Sequence, residues 1–224
     1  MYATHSDYHI HSEHSDGTDS IHNIVHRASV LKLKKIAITD HFWPSLGSQR
    51  GGQALIDRRR NEIEIARSEY PQLMVLNGTE VDIQSDGTLA RVAGGLKQFE
   101  LVIGSFHWVT NSTTWASTLK KALRDPQFHI LGHWDGYLSS YRDEDSEAVV
   151  NLLAEAGVAI ELSGRYVSEH PDFFELAMKA GCKFTLGSDS HSIETIGQLD
   201  FQKKLASDYD LHLIEFEELV KQTT

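Results

Sequence analysis

The residues best suited to chemistry begin with His9-Ile10-His11, which places two imidazoles two positions apart near the start of the chain. On an extended strand, side chains two positions apart point to the same side, so both rings would face one space. Converging imidazole nitrogens are good ligands for a divalent metal ion. The polar turn that follows ends in Asp16-Gly17 and can return an oxygen ligand to the same place. A pair of hydrogen-bonded histidines on a half-exposed strand is the alternative interpretation.

Further histidines and carboxylates stand at or just after the ends of short apolar runs that are typical of buried strands. They are Asp40 with His41, Glu80, His107, His133, and Asp189 with His191. Apolar residues at helical spacing lie between these runs, and this alternation predicts an α/β fold with a parallel sheet. Seven strands favour a closed or nearly closed barrel, and an open doubly wound sheet is the alternative. In a barrel, the carboxyl ends of all strands meet at one mouth, where active sites lie.

The whole-chain numbers restrict the class of protein. The 224 residues can bury one large core and no low-complexity linker divides them, so we expect a single domain spanning residues 1–224. The one cysteine, Cys182, excludes an internal disulfide and favours a reducing, cytoplasmic location. The N-terminus lacks a signal pattern, and no apolar run reaches membrane-spanning length. A formal net charge of −11 argues against binding of long nucleic acid, which needs a basic face.

The predicted convergence implies metal ions. Histidines and carboxylates crowded at one barrel mouth would be unfavourable alone, because protonated imidazoles repel and buried carboxylates lack partners. One divalent ion takes about four to six ligands, and the candidate ligands outnumber this, so we expect two to three divalent ions. Because the ligands are nitrogen and oxygen atoms and include no cysteine, the bound ions could be zinc, manganese or iron.

The ordered motifs resemble those of the polymerase and histidinol phosphatase (PHP) superfamily. The matching segments are Tyr8-His9-Ile10-His11-Ser12, Ser15-Asp16-Gly17, Ile38-Thr39-Asp40-His41, Gly78-Thr79-Glu80, Gly104-Ser105-Phe106-His107, Gly132-His133 and Gly187-Ser188-Asp189-Ser190-His191. The resemblance implies a distorted seven-stranded, TIM-like (β/α)7 barrel and a trinuclear metal site that catalyses phosphoester hydrolysis.

The resemblance also implies a ligand set for each ion. The first ion would be held by His9, His11, Glu80 and Asp189. The second would be held by Glu80, as a bridge, with His107 and His133. The third would be held by Asp16, His41 and His191. Because some relatives have histidine at the position of Asp16, His14 is an alternative ligand there.

The expected chemistry follows from charge. Several divalent ions would make the mouth cationic and suited to a phosphate monoester. A metal-bridging water of lowered pKa could attack phosphorus as hydroxide, while the ions stabilise the phosphoryl and leaving oxygens. Arg165 could add a bidentate phosphate contact, and Asp189 or His191 could transfer protons at the rim. The organic part of the substrate would contact residues 42–53, which include Trp43, and residues 134–141.

The favoured hypothesis is a metal-dependent phosphatase acting on a small phosphomonoester, with histidinol phosphate as the best-known substrate of the superfamily. A nucleotide or oligonucleotide phosphodiesterase, or an exonuclease, is the alternative within the superfamily. The acidic charge counts against long nucleic acid as a substrate. A non-catalytic, metal-stabilised module is less favoured, because every ligand position is filled.

Overall fold

The computed structural model describes residues 5–42 and 52–220, in which strands and helices alternate. The strands are β1 (Ser6–Ile10), β2 (Lys35–Ile38), β3 (Met74–Asp82), β4 (Leu101–Ser105), β5 (Thr110–Asn111), β6 (Ile130–Leu131), β7 (Leu138–Ser140), β8 (Ala159–Ser163), β9 (Lys183–Gly187) and β10 (His212–Leu213). The helices are α1 (Ile21–Val30), α2 (Gln53–Glu69), α3 (Ser112–Ala122), α4 (Asp143–Ala156), α5 (Pro171–Lys179), α6 (Asp200–Asp208) and α7 (Phe216–Val220).

The main sheet is parallel and curls into a distorted barrel. Its strand order is β1-β2-β3-β4-β6-β8-β9-β10. A parallel bridge joins Ile10, at the end of β1, to Ser190, just after β9. β10 pairs with the first residues of β9, starting at Lys183, so β9 contacts β1 at its upper end and β10 at its lower end. Seven strands, β1, β2, β3, β4, β6, β8 and β9, therefore form the barrel, and β10 is an eighth, short strand beside β9. The predicted distorted seven-stranded, TIM-like barrel is confirmed, and the open doubly wound alternative is wrong.

Local sequence explains where several helices begin and end. Ser20 caps α1 by accepting a hydrogen bond from the Asn23 N–H group. Gly157 ends α4 with a φ of 67°, a left-handed conformation that favours glycine. Pro171 opens α5, where its missing N–H group has no helical partner to lose. These signals set the lengths of the helices that cover the sheet.

The inward-facing residues form an apolar floor near the amino-terminal ends of the strands and a polar mouth near the carboxyl-terminal ends. Leu76 and Glu80 share a parity on β3, so both side chains point inward, with Leu76 nearer the amino-terminal end. The floor is an apolar cluster of Tyr8, Ala37, Leu76, Leu101, Ile103, Ile130, Ala159, Ile214 and Leu219. Since Leu219 belongs to α7, this helix closes the bottom of the barrel, and the opposite end carries the polar side chains.

Several predicted boundaries differ from the structure. The apolar run at residues 73–76 predicts a strand that ends before Asn77, yet β3 continues through Glu80 to Asp82. Its polar residues are satisfied inside the sheet, since buried Arg59 donates to Asn77 Oδ1 at 2.5 Å and to the Gly78 carbonyl at 2.6 Å. The Asp86-Gly87 pair between Ile83 and Leu89 predicts a hairpin turn. An antiparallel bridge between Ile83 and Leu89 confirms it.

The tail of the chain was only partly predicted. The sequence predicts one closing helix at about residues 213–221, whereas the structure has the short strand β10 followed by α7. Residue 221 lies outside the described residues. Helix α6 and the small β5-β7 pair were not predicted. None of the helices in the described ranges combines the length and apolar character needed to cross a membrane. The single-domain organisation stays a prediction.

Candidate metal centre

The predicted ligands converge at the carboxyl-terminal mouth of the barrel. We call them the mouth cluster, which consists of His9, His11, Asp16, His41, Glu80, His107, His133, Asp189 and His191. Most of these side chains are buried, and Asp16 and His191, with side chains 32% and 25% exposed, form its outer edge. The strand ends therefore bring together polar residues from most of the sequence.

Glu80 lies at the centre of the mouth cluster. Its Oε2 atom faces the Nε2 atoms of His9 at 3.1 Å, His11 at 3.4 Å and His41 at 3.5 Å. Its Oε1 atom faces the Nε2 atoms of His133 at 2.9 Å and His107 at 3.3 Å. The two oxygens of one carboxylate thus face two different groups of imidazoles, which is the arrangement expected of a bridging ligand.

Asp189 joins the first group of imidazoles. The Nε2 atoms of His9 and His11 lie 3.0 Å apart, so both nitrogens point to one space. Asp189 Oδ1 lies 3.4 Å from His11 Nε2 and 3.8 Å from His9 Nε2. The backbone of Asp189 has a φ of 53°, which is uncommon for a residue other than glycine. These contacts bring the residues of the predicted first ligand set together, and their assignment to one ion stays a prediction.

The turn after β1 supplies Asp16 to the outer side of the mouth cluster. Asp16 Oδ2 lies 3.1 Å from His191 Nε2 and 3.9 Å from His41 Nε2. The alternative ligand, His14, points elsewhere, with its Nε2 atom 2.9 Å from Glu62 on α2. Of the two candidates for the third ligand set, the geometry therefore favours Asp16.

The donor atoms fit divalent metal ions. Within the described residues, four overlapping groups each bring their ligand atoms within 4.8 Å of one another: His9-His11-Glu80, His11-Asp16-His41, His11-Asp189-His191 and His41-Glu80-His107. Asp189 Oδ1 is buried and has no hydrogen-bond partner. A buried oxygen without a donor is costly unless a cation is bound to it. Nitrogen and carboxylate donors suit zinc, manganese or iron.

Charges within the mouth cluster shift the pKa values of its members. Burial disfavours protonation of His11 and His107, but the carboxylates facing them outweigh this effect and raise their pKa values to about 9 and about 10. Burial lowers the pKa of His41 to about 4. Burial opposes ionisation of Glu80, yet the facing histidines, His9 first, hold its pKa well below its usual value. An ionised carboxylate among imidazoles is a site prepared for cations.

Two carboxylates behind the mouth cluster were not predicted to contact its histidines. Glu161 Oε1 lies 2.7 Å from His9 Nδ1, and Asp82 Oδ1 lies 2.6 Å from His107 Nδ1. Each contact turns the other ring nitrogen, Nε2, toward the mouth. The sequence held a signal for both, because Glu161 interrupts an apolar strand and Asp82 shares the parity of Glu80 on β3.

Arg165, which the sequence analysis proposed as a phosphate contact, lies at the opening of the mouth. Its side chain is 49% exposed, and its Nη1 atom is 2.9 Å from His191 Nε2 and 3.9 Å from Asp189 Oδ1. A pocket of about 390 Å³ opens beside it. The walls of this pocket include Thr18, Arg165, Asp189, His191, Thr195 and Gln198.

Asp40, which the sequence pattern placed at the mouth of the barrel, has a structural role. Its carboxylate accepts hydrogen bonds from the Ser12 N–H group at 2.7 Å and from the Ser15 hydroxyl at 2.7 Å. It also pairs with buried Arg59, whose Nη1 atom is 3.2 Å away. Burial opposes ionisation of Asp40, but Arg59 outweighs it and lowers the pKa. Asp40 thereby fixes the turn that carries Asp16.

Aromatic side chains border the mouth, although not all of those expected. The ring of Tyr166 lies 4.8 Å from that of His133, and the hydroxyl groups of Tyr166 and Tyr137 are 3.3 Å apart. Trp134, expected to contact substrate, is instead buried and stacks on Phe173 at 3.7 Å. Trp43 lies outside the described residues.

The fold and the site together define a metal-dependent phosphoesterase of the hydrolase class. A model of the PHP domain family matches residues 7–167 of the chain. The chain therefore belongs to the PHP domain family, as the motifs indicated.

Comparisons with individual proteins agree with this assignment. A "Probable phosphatase" of Caldicellulosiruptor bescii is 29% identical over 204 residues, covering 86% of this chain and 81% of the relative. A "DNA polymerase/3'-5' exonuclease PolX" of Bacillus subtilis is 26% identical over 200 residues, covering 86% of this chain, and the chain spans only 35% of that relative. The crystal structure of histidinol phosphate phosphatase from Lactococcus lactis has a TM-score of 0.73 and 18% identity, covering 93% of this chain and 95% of that one. This likeness supports the fold.

Proposed function

We propose that the protein is a phosphatase that hydrolyses a small phosphomonoester with two to three divalent ions, zinc, manganese or iron, bound in the mouth cluster. One observation carries the proposal. The two oxygens of Glu80 face two groups of imidazoles inside the barrel, at 2.9–3.5 Å from five Nε2 atoms. A carboxylate shared in this way suits neighbouring cations, and neighbouring cations suit a phosphate dianion.

Each residue of the mouth cluster then has a proposed role. The first ion would be held by His9, His11, Glu80 and Asp189. The second would be held by Glu80, His107 and His133. The third would be held by Asp16, His41 and His191. When bound, such ions supply Lewis acidity and lower the pKa of a coordinated water, which is the chemistry that phosphoester hydrolysis needs.

Arg165 is the proposed phosphate anchor. A half-exposed guanidinium next to His191 and Asp189 can donate two hydrogen bonds to phosphate oxygens that enter from the pocket. Asp189 and His191 lie at the same edge and can hold or release a proton when the leaving oxygen departs. The pocket of about 390 Å³ admits a small organic group but not a folded polymer.

The relatives support the choice of substrate class. The Caldicellulosiruptor bescii relative is named a "Probable phosphatase". The structural neighbour from Lactococcus lactis was crystallised with zinc, L-histidinol and phosphate. A small phosphorylated molecule is therefore the substrate class that we propose for this chain.

The test uses purified protein loaded separately with manganese, zinc or iron. Phosphate release is measured on a panel of small phosphomonoesters that includes histidinol phosphate, sugar phosphates and nucleoside monophosphates. We expect turnover that depends on bound metal and disappears with a chelator. A protein that binds metal and releases phosphate from none of these compounds contradicts the proposal and favours a non-catalytic module.

A phosphodiesterase or exonuclease is the second candidate, because the Bacillus subtilis relative carries 3'-5' exonuclease in its name. The formal net charge of −11 counts against long nucleic acid. Oligonucleotides of two to ten nucleotides, tested alongside the monoesters, distinguish the two. Faster cleavage of the diester bond than of any monoester would favour the second candidate.

A further inference from the structure

We propose that Glu161 is a positioning residue that couples two metal positions, by holding the ring of His9 in one ligand set and the backbone of His133 in the other. The inference rests on the proposed metal-dependent function. It assigns a role to a buried residue whose carboxylate contacts two members of the mouth cluster.

The contacts of Glu161 are divided between its two oxygens. Oε1 lies 2.7 Å from Nδ1 of His9, and Oε2 accepts a hydrogen bond from the N–H group of His133 at 2.8 Å. Glu161 is 3% exposed. A buried carboxylate that accepts two such bonds is well compensated. The same side chain therefore sets two ligands that face opposite oxygens of Glu80.

The backbone of His133 needs this support. Its φ is 23°, a region that residues other than glycine rarely occupy. The hydrogen bond from its N–H group to Glu161 holds that conformation, and it leaves His133 Nε2 at 2.9 Å from Glu80 Oε1. Without this hydrogen bond, the backbone conformation that directs the imidazole of His133 at Glu80 would be less stable.

The space for the carboxylate is provided by a glycine. A Cβ atom at Gly187 would lie 2.0 Å from Glu161 Oε1, far inside van der Waals contact. The chain thus keeps the end of β9 free of a side chain where the carboxylate lies beside His9. Both the carboxylate and the gap that receives it are part of the barrel wall.

The chemistry requires an acceptor at both contacts. When Nδ1 of His9 donates its proton to Glu161, the lone pair of Nε2 is left for a cation. A glutamine has the same shape but one acceptor oxygen and one donor NH₂ group. Its single oxygen can accept a hydrogen bond from the His133 N–H group or from His9 Nδ1, but not from both. If its NH₂ group faces His9 Nδ1, the ring proton of His9 moves to Nε2 and blocks metal binding there.

The test compares E161Q with E69Q. Glu69 lies 3.2 Å from His22, so it forms the same kind of carboxylate–histidine pair outside the mouth cluster. Affinity for Mn²⁺ and Zn²⁺ is measured by competition with a chromogenic chelator, without substrate. The unfolding midpoint is measured on the metal-free proteins. We expect E161Q to bind metal roughly 10- to 100-fold more weakly than the wild type, and E69Q to match the wild type.

A positioning role also predicts that the metal-free E161Q protein stays folded, with its unfolding midpoint lowered by no more than the one buried hydrogen bond that it loses. E161D, which keeps both acceptor oxygens on a side chain shorter by one methylene, should recover part of the metal affinity. Wild-type metal affinity in E161Q would overturn the proposal. So would a metal-free E161Q protein that is unfolded at the temperature of the binding assay, because Glu161 would then support the fold itself. Since these readouts need no turnover, a wild type that binds metal but hydrolyses nothing contradicts the proposed function and leaves this inference standing.

Discussion

The Nε2 atom of His9 lies 3.1 Å from the Oε2 atom of Glu80 in the interior of the barrel. The two residues belong to β1 and β3, which are separated in the sheet by β2. Both side chains are buried, so neither nitrogen nor oxygen has bulk water as a partner. The curvature of the sheet is what brings an imidazole and a carboxylate from non-adjacent strands within reach of a shared cation.

Replacing Glu80 tests the bridging role. We expect E80A to lose two bound ions together, because each oxygen of Glu80 faces a different group of imidazoles. Phosphatase activity should fall by roughly 1000-fold, since bound ions supply several kcal/mol of transition-state stabilisation. Metal content is measured by mass spectrometry of the desalted protein. E69Q, which alters a carboxylate that pairs with His22 outside the mouth cluster, should keep the full metal content. Loss of a single ion from E80A would contradict a bridging role.

Replacing Arg165 separates substrate binding from metal binding. Arg165 contributes no ligand to the mouth cluster, so R165A should keep its metal. A charge-assisted hydrogen bond is worth about 1.5–3 kcal/mol, so kcat/KM should fall about 10- to 100-fold. R165K should recover part of this loss. The exposed Arg124 follows α3, away from the mouth, and R124A should behave as the wild type. Unchanged kinetics in R165A would exclude Arg165 as the phosphate anchor.

The buried pair of Arg59 and Asp40 should govern stability. R59M leaves the Asp40 carboxylate buried without its cation, and breaking such a pair costs about 3–5 kcal/mol of the free energy of unfolding. Urea denaturation measures the change. R60M is the matched control on the same helix, because Arg60 forms a partly exposed pair with Asp57 and should matter by less than about 1 kcal/mol. Equal effects of the two substitutions would argue against a structural role for the buried pair.

The single cysteine gives a pH-dependent prediction. Burial raises the pKa of Cys182 to about 12, and its Sγ atom donates to the Val150 carbonyl at 3.2 Å. Because the folded pKa exceeds the usual value of 9.0, the thiol stabilises the fold below pH 9, and this contribution is lost as the pH rises toward 12. Iodoacetamide should label unfolded but not folded protein at pH 9, as read by mass spectrometry. Rapid labelling of the folded protein would show that Cys182 is accessible.

The sequence predicted the barrel and the mouth cluster because most of the ligands stand within or just after a strand that has an apolar run. The hydrophobic pattern predicts where strands end, and in a barrel the carboxyl ends of all strands meet at one mouth. The choice between Asp16 and His14 was not readable, since it depends on Glu62 of the distant helix α2 holding His14 away from the mouth. Long-range contacts of this kind leave no local pattern.

Other features escaped prediction for the same physical reason. The continuation of β3 beyond Asn77 depends on hydrogen bonds from Arg59. The local sequence of this polar segment does not predict those bonds. The burial of Trp134 depends on its stacking with Phe173 of α5. The role of Glu161 depends on His9 and His133, which reach it from other strands.

Anomalous scattering from crystals grown with manganese or zinc locates and identifies the bound ions directly. We expect two to three peaks at the barrel mouth, two of them sharing Glu80 as a ligand. The first should contact His9, and the second should contact His133. Peaks confined to exposed side chains, or a mouth without any peak in protein that is saturated with metal, would contradict the proposed metal centre and the hydrolase function that depends on it.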